Sequence, residues 1–340
     1  MNQMPMTPMG VGKLLDKSFN VYRQHFGAYF FLALIWFGPF LLLQQLLLVD
    51  LSSVPLLMQD TEGLEFWESM GEKFGGQEEM VTQNVGLLLL YVFLVAPLTM
   101  VVAYPQLIAG ATLLTKSVWE QQTVDLKAAL KGALGRFWPL VGSTLVYGLL
   151  ILAVTFGFAL VFLFIGFLFV MATGNSIDTF FDSGSEFNPF LFIIVFLFGY
   201  ILFLIGMLLV PGYFLLRWSF YLPLVLFEKG GVGIGKSWHL TKGNFWRLFA
   251  IFIVLSLLYS IFSGGIQVAI MGILGTSIIS QIIMVVLSCL LMPWIAIVYA
   301  LAYFDLRVRK DGTDLQELMN RQLEQAADRP STQEPGAAHE

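Results

Sequence analysis

The chain alternates long apolar blocks with short polar ones. Uncharged runs cover residues 24–49, 80–115, 137–177, 187–216 and 248–304. About 20 apolar residues in a helix cross the ~30 Å hydrocarbon core of a bilayer. Each of the first four runs therefore predicts one spanning helix. The fifth is long enough for two, with Gly264-Gly265 and Gly272 to Ser277 as candidate turns. The two-residue alternation of a membrane barrel strand occurs nowhere. The pattern predicts an all-α integral membrane protein with six transmembrane helices.

The polar blocks carry a pattern of their own. Residues 14–30 (LLDKSFNVYRQHFGAYF), 125–141 (DLKAALKGALGRFWPLV) and 233–249 (GIGKSWHLTKGNFWRLF) share a layout. Aligning Phe26, Phe137 and Phe245 puts Lys17-Ser18-Phe19 on Lys236-Ser237-Trp238. It also puts Gly135-Arg136-Phe137-Trp138 on Gly243-Asn244-Phe245-Trp246. Each segment is basic, leads into an odd-numbered span and reads as an amphipathic helix. The apolar stripes are Val11, Leu14, Leu15, Ser18, Phe19 and Tyr22; then Leu126, Leu130, Ala133, Leu134 and Phe137; then Ile234, Trp238, Thr241 and Phe245. A helix with such a stripe and lysines opposite it rests at headgroup level. Its plain role is to set the angle of the following span. Its sharper role is to hold anionic lipid or a partner protein through Lys13, Lys17, Arg23, Lys127, Lys131, Lys236 and Lys242. The even spans share Pro105, Pro211 and Pro293, where the missing N–H favours a kink. The expected unit is interfacial helix, span, outer loop and Pro-containing span, repeated over about 11–118, 119–228 and 229–310. Such repeats accompany transport and also arise by duplication of a packing unit.

Composition narrows the class. Of 340 residues, 57% are hydrophobic and only 12% charged, about half the charge of an average soluble domain. A soluble enzyme, a disordered chain and a nucleic-acid binder are excluded. The placement of charge then orients the spans. With six spans and the N-terminus inside, every Lys and Arg except Lys73 lies on the cytoplasmic side, the positive-inside pattern. Splitting run 137–177 in two would put the basic segment 217–247 outside, so one long tilted helix is expected there. One outer loop carries Asp60, Glu62, Glu65, Glu68, Glu72, Glu78 and Glu79, and the other Asp178, Asp182 and Glu186. Within the first, Leu64, Trp67 and Phe74 predict a short amphipathic helix. After the last span, Thr313 to Gln316 reads as a capping box opening a short cytoplasmic helix over 313–325. Residues 328–340 read as a disordered tail beyond a membrane domain of residues 1–320. Both termini are expected in the cytoplasm, and no cleavable signal peptide is expected.

Three stretches together resemble a bacterial membrane-protein family. They are GKLLDKSFNVYRQHFG near the start, RWSFYLPLVLFEKGGVGIGKSWHLTKGNFWRLF over 217–249 and YFDLRVRKDGTDLQEL over 303–318. The family is named for the membrane domain of glycerophosphoryl diester phosphodiesterases, and the resemblance spans residues 10–320. It implies the membrane architecture and a bacterial plasma membrane. It does not imply catalysis here. The phosphodiesterase activity of that family belongs to a separate barrel domain, which needs a His-Arg pair and about 250 soluble residues. His25, His239 and His339 stand in no His-Arg-Gly context.

The remaining polar residues give no catalytic constellation. The single Cys, Cys289, excludes a disulfide framework. No second ligand stands at metal-site spacing from any His, so neither a metal nor another cofactor is expected. Ionisable residues at midplane, functional by default, are absent. Arg217, at the end of the fourth span, is placed to pair with Glu228 or Asp305, or to snorkel to water. Gln106, beside Pro105, is a candidate polar site within the second span, and helix–helix hydrogen bonding is its plainer role. The expected function is non-catalytic: an accessory or scaffold that organises lipids or another membrane or cytoplasmic protein. The alternative is a transporter of a lipid or other amphiphile. The topology is testable in a Cys289→Ser background. Cysteines at positions 69 and 183 should react with an impermeant reagent on intact cells, and a cysteine at 331 should not. Labelling at 331 would reverse the orientation.

Overall fold

The computed structural model describes residues 9–49, 56, 84–172, 189–228, 231–275 and 277–327. The amphipathic helix expected in the acidic outer loop and the tail 328–340 lie outside the described residues. Among the described residues eleven helices run in the order α1 (Val11–Gln24), α2 (Phe26–Trp36), α3 (Gly38–Leu48), α4 (Val85–Trp119), α5 (Leu126–Leu134), α6 (Phe137–Ala172), α7 (Pro189–Trp218), α8 (Tyr221–Phe227), α9 (Ile234–Leu240), α10 (Phe245–Leu274) and α11 (Ile278–Ala327). Helices α4, α6, α7, α10 and α11 are each long and apolar enough to cross a membrane. The pair α2 and α3, bent by 47°, is long and apolar enough only when taken together, as a broken span or a re-entrant loop, so the described residues hold five to six crossings. The protein is a polytopic, all-α membrane protein.

Each break has a local cause. The bend between α2 and α3 falls at Phe37-Gly38-Pro39, with Pro39 in the first turn of α3. Its ring cannot donate to the ladder and crowds the preceding turn. The sharp bend thus falls between α2 and α3, whereas α7 and α11 run on through Pro211 and Pro293. In α4, two π-helical turns, Tyr91–Val95 and Thr99–Ala103, each end two residues before a proline, Pro97 and Pro105. Widening the helix there re-satisfies backbone groups that proline frees. The described part of run 137–177 is one helix, α6, unbroken over 36 residues. The fifth apolar run breaks at the second candidate turn. Gly275 takes φ +57° and ends α10. Ser277 and Ser280 then exchange hydrogen bonds, each backbone N–H donating to the other's hydroxyl at 3.1 and 3.2 Å, which caps α11. No separate helix starts at Thr313, because α11 continues through it to Ala327.

Packing is concentrated at one end of the bundle, the end that carries the lysines and arginines. Leu14, Tyr29, Leu32, Leu107, Leu114, Leu140, Phe220, Leu222, Leu248, Ile251, Ile297 and Tyr303 are the largest side chains fully buried there. Every residue from Ala296 to Tyr303 is buried, so this stretch of α11 is enclosed on all sides by its neighbours. Beyond Thr144, by contrast, no residue of α6 as far as Leu168 is buried. Apolar side chains there suit hydrocarbon, which provides no drive to bury them against protein.

The three basic amphipathic helices form as expected, and each precedes a span. Their stripes, however, pack on protein as well as facing outward. Helix α1 lies antiparallel along α11. The indole N–H of Trp294 donates to Ser18 Oγ at 3.0 Å, and the Tyr22 hydroxyl donates to the Leu290 carbonyl at 2.5 Å. Leu14, Ser18, Val21 and Tyr22 are buried by this contact, while Phe19 stays 56% exposed. Helix α5 buries Ala129 and Ala133 against α4 and α2 and leaves Leu134 outside. Helix α9 buries Ser237 and Thr241.

Burial pushes the Tyr22 hydroxyl up to about 12. The phenol must stay neutral to donate to Leu290, and in the unfolded chain it ionises near its ordinary value of about 10. Its contribution is therefore complete below pH ~10 and is lost as pH rises towards 12. Tyr22→Phe should remove this dependence. In detergent, wild type should lose roughly 1 kcal/mol more than the variant between pH 8 and 11. Parallel alkaline unfolding curves would refute the buried donor.

Candidate functional site

The basic end gathers most of the charge chemistry of the described chain. At its centre Asp305, 2% exposed, accepts from three groups. Arg247 Nη2 stands 2.6 Å and Arg309 Nε 2.9 Å from its Oδ2, and the Met9 backbone N–H donates to Oδ1 at 2.7 Å. Arg247 and Arg309 also donate to the Met9 carbonyl, at 2.8 and 3.0 Å. One carboxylate thus joins the chain before α1, the start of α10 and the middle of α11. The sequence showed Asp305 only as an acid near a span end. Nothing in the local pattern pointed to Met9 or Arg247, which meet it through the fold.

Beside this junction a pocket of about 410 Å³ opens between α8, α9 and α11. Its charged lining is Glu228, Lys236, His239, Arg307, Lys310 and Asp311. Glu228 accepts from Lys236 at 2.5 Å, and Lys310 Nζ lies 2.6 Å from His239 Nδ1. The Arg307 guanidinium reaches the Tyr303 hydroxyl at 3.4 Å. Cationic groups outnumber carboxylates, so the pocket suits an anion better than a cation. Among the described residues, no group of three His, Cys, Asp or Glu side chains is placed to hold a metal ion.

The expected Arg217–Glu228 pair is not made. Glu228 turns to Lys236, eight residues on, at the edge of the pocket. Arg217 is buried instead, its guanidinium carbon 4.2 Å from the Trp238 ring centre and Nη1 3.4 Å from Thr241 Oγ1. It does not snorkel, because α9 folds over the end of α7 and covers it. Asp305, the other partner considered, is taken by Arg247 and Arg309.

The lysines of the three amphipathic helices do not converge on one point. Lys17 sits 3.8 Å over the Trp119 ring, and burial lowers its pKa from the ordinary lysine value. Lys236 belongs to the pocket. Lys13, Arg23, Lys127, Lys131 and Lys242 stay exposed. Exposed apolar side chains stand among them: Phe19, Phe26, Leu134, Trp138 and Trp246. Within the bundle, Gln106 is fully buried and neither end of its amide has a hydrogen-bond partner. The helix–helix hydrogen bond considered for it is not formed.

Breaking the Asp305 junction should be costly, since truncating one member of a buried pair strands its partners. Asp305→Ala is expected to lose about 3–5 kcal/mol. The exposed Lys116–Glu120 pair, at 3.7 Å, is the control. Glu120→Ala should cost under about 1 kcal/mol. Thermal unfolding of the purified protein in detergent checks both, and equal shifts would deny the junction its role.

No family model, curated protein or solved structure matches this chain.

Proposed function

We propose that this protein is a non-catalytic membrane protein of the bacterial plasma membrane, with both termini in the cytoplasm. In this reading it organises anionic lipid, or a partner bound to such lipid, at its basic face. The observation that carries the reading is the exposed mixture at the basic end. Lys13, Arg23, Lys127, Lys131 and Lys242 are exposed beside Phe19, Leu134, Trp138 and Trp246. Aromatic and basic side chains presented together match the chemistry of the headgroup layer. The nearby acids Asp305 and Glu228 are engaged by cations of the fold, while Asp16 and Asp125 stay exposed among the lysines. The bacterial setting and the threefold repeat come from the sequence pattern and the family resemblance. The three basic helices, each placed before a span, support the repeat.

The test uses the full-length protein in nanodiscs containing equal phosphatidylglycerol and phosphatidylcholine. Lipid co-extracted with the protein should be enriched in phosphatidylglycerol. Replacing Lys13, Lys127, Lys131 and Lys242 with Gln should remove most of that enrichment, since each surface lysine is worth roughly 1 kcal/mol. Equal proportions around the wild type would end the lipid-organising reading.

Transport of an amphiphile is the second reading, and Gln106 favours it. An unpartnered amide in an apolar bundle costs free energy unless water or a ligand meets it. Proteoliposomes that move a fluorescent lipid faster than empty liposomes, and lose that rate with Gln106→Leu, would put transport first.

A further inference from the structure

Arg217 is a buried charge without an acid. It is 6% exposed. Among the described residues no carboxylate stands within ion-pair distance of it. Its Nε is enclosed and has no hydrogen-bond partner. Its side-chain hydrogen bond is the long one to Thr241 Oγ1, at 3.4 Å. The neighbouring hydroxyls face backbone groups, and Ser237 Oγ already accepts from the Phe220 N–H at 3.1 Å. Ser237 Oγ and Thr241 Oγ1 both donate to the Arg217 backbone carbonyl, at 3.0 and 3.1 Å. A guanidinium carries five donors and a fixed positive charge. Withdrawing it from water without a counter-charge is unfavourable by an amount that a helix C-terminus offsets only in part.

The surroundings indicate where a counter-charge would come from. Trp238 covers one face of the guanidinium, and the Tyr213 ring centre lies 6.0 Å away. Tyr213 packs on Phe245 at 5.0 Å and on Trp238 at 5.9 Å. Trp246, next in the chain, is 77% exposed. Tryptophan and tyrosine rings gathered at the basic end of a span mark the headgroup level of a bilayer. The anions abundant at that level are phosphate esters. A guanidinium fork binds a phosphate through two parallel hydrogen bonds, and Nε is one of the two donors such a fork presents.

We propose that Arg217 binds a phosphate ester at the junction of α7, α9 and α10, with the aromatic ring of Tyr213, Trp238 and Phe245 as its rim. The site takes the phosphodiester of a phospholipid headgroup or a soluble phosphate of the same chemistry. This inference rests on the chain spanning a bilayer, and it is independent of the exposed lysines. The lysines respond to net lipid charge, so they separate phosphatidylglycerol from phosphatidylcholine. Arg217 responds to the phosphate that both lipids carry.

The experiment is native mass spectrometry of the full-length protein in detergent, titrated with phosphatidylglycerol, phosphatidylcholine, diacylglycerol or inorganic phosphate. Wild type should retain one tightly held molecule of either phospholipid and none of the diacylglycerol. Arg217→Met, which keeps the volume and removes the charge, should lose that molecule. Arg217→Lys keeps the charge, and so preserves the fold if the Met variant fails. It should bind roughly tenfold more weakly for want of the fork. Competition by inorganic phosphate would support the site and identify its ligand as soluble; its absence would support the lipid. Equal retention by diacylglycerol, or an unchanged midpoint in Arg217→Lys, would overturn the proposal. Replacing the exposed lysines with Gln should leave this single molecule in place, which separates the outcome from the lipid-organising reading.

Discussion

A single buried carboxylate ties the beginning of the chain to its end. Asp305 accepts from Met9, Arg247 and Arg309, and all three would otherwise be donors near the apolar core. Because the backbone of Met9 is held there, α1 is directed back along α11. Its buried face then closes over Trp294 and Leu290. Because Arg247 is held there, the first turn of α10 stands beside the same helix. The enclosure of Ala296 to Tyr303 follows from these two constraints, with α2 and α4 completing the wall. An ion pair in such a place adds little beyond what apolar residues would give, yet removing one partner is expensive. Its effect is to specify one arrangement of helix ends.

The asymmetry of packing follows from the solvent on each side. At the basic end the short helices α5, α8 and α9 are too small to stand alone, so they bury apolar surface against the span ends. The opposite halves of α6 and α7 present Phe, Leu and Ile outward. In hydrocarbon that exposure carries no penalty, and association there depends on close packing alone. One such contact is visible where Phe158 packs against Gly206, so close that a Cβ at Gly206 would lie 2.3 Å from its ring. The hairpin of α6 and α7 is held by contacts of this kind, and the basic end by burial and charge.

The polar residues that stay unmatched inside this frame are informative because the rest are so completely used. Ser237 and Thr241 cap the end of α7, Tyr299 donates to the Ser219 carbonyl at 2.5 Å, and Tyr29 meets Thr115 at 3.0 Å. Against that background the unpartnered atoms stand out: the Gln106 amide, Nε of Arg217, the Trp36 indole N–H, and Nε and Nη1 of Arg247, whose Nη2 already meets Asp305. Buried polar groups without partners are uncommon in native proteins, and Gln106 and Arg217 lie in different surroundings. Gln106 is enclosed within the bundle, whereas Arg217 stands beside an aromatic rim at its basic end.

The spans were legible in the sequence because the bilayer acts on each segment alone: an uncharged run of sufficient length is helical whatever its neighbours are. The unbroken α6 followed from length and charge, whereas the turn before Ser277 was one of two glycine-containing candidates, and the tertiary structure chose it. The amphipathic helices were legible for the same reason, as periodicity is local. What covers their stripes was not, since Leu14 and Tyr22 read alike whether they meet lipid or α11. Proline positions were visible, but the bend went to Pro39, where the helix enters a new turn, and α7 and α11 absorbed Pro211 and Pro293. The partners of Asp305, Glu228 and Arg217 were decided by the tertiary structure alone. They lie up to 296 residues apart, and which cation meets which acid depends on how helix ends are brought together, a relation that no spacing along the chain records.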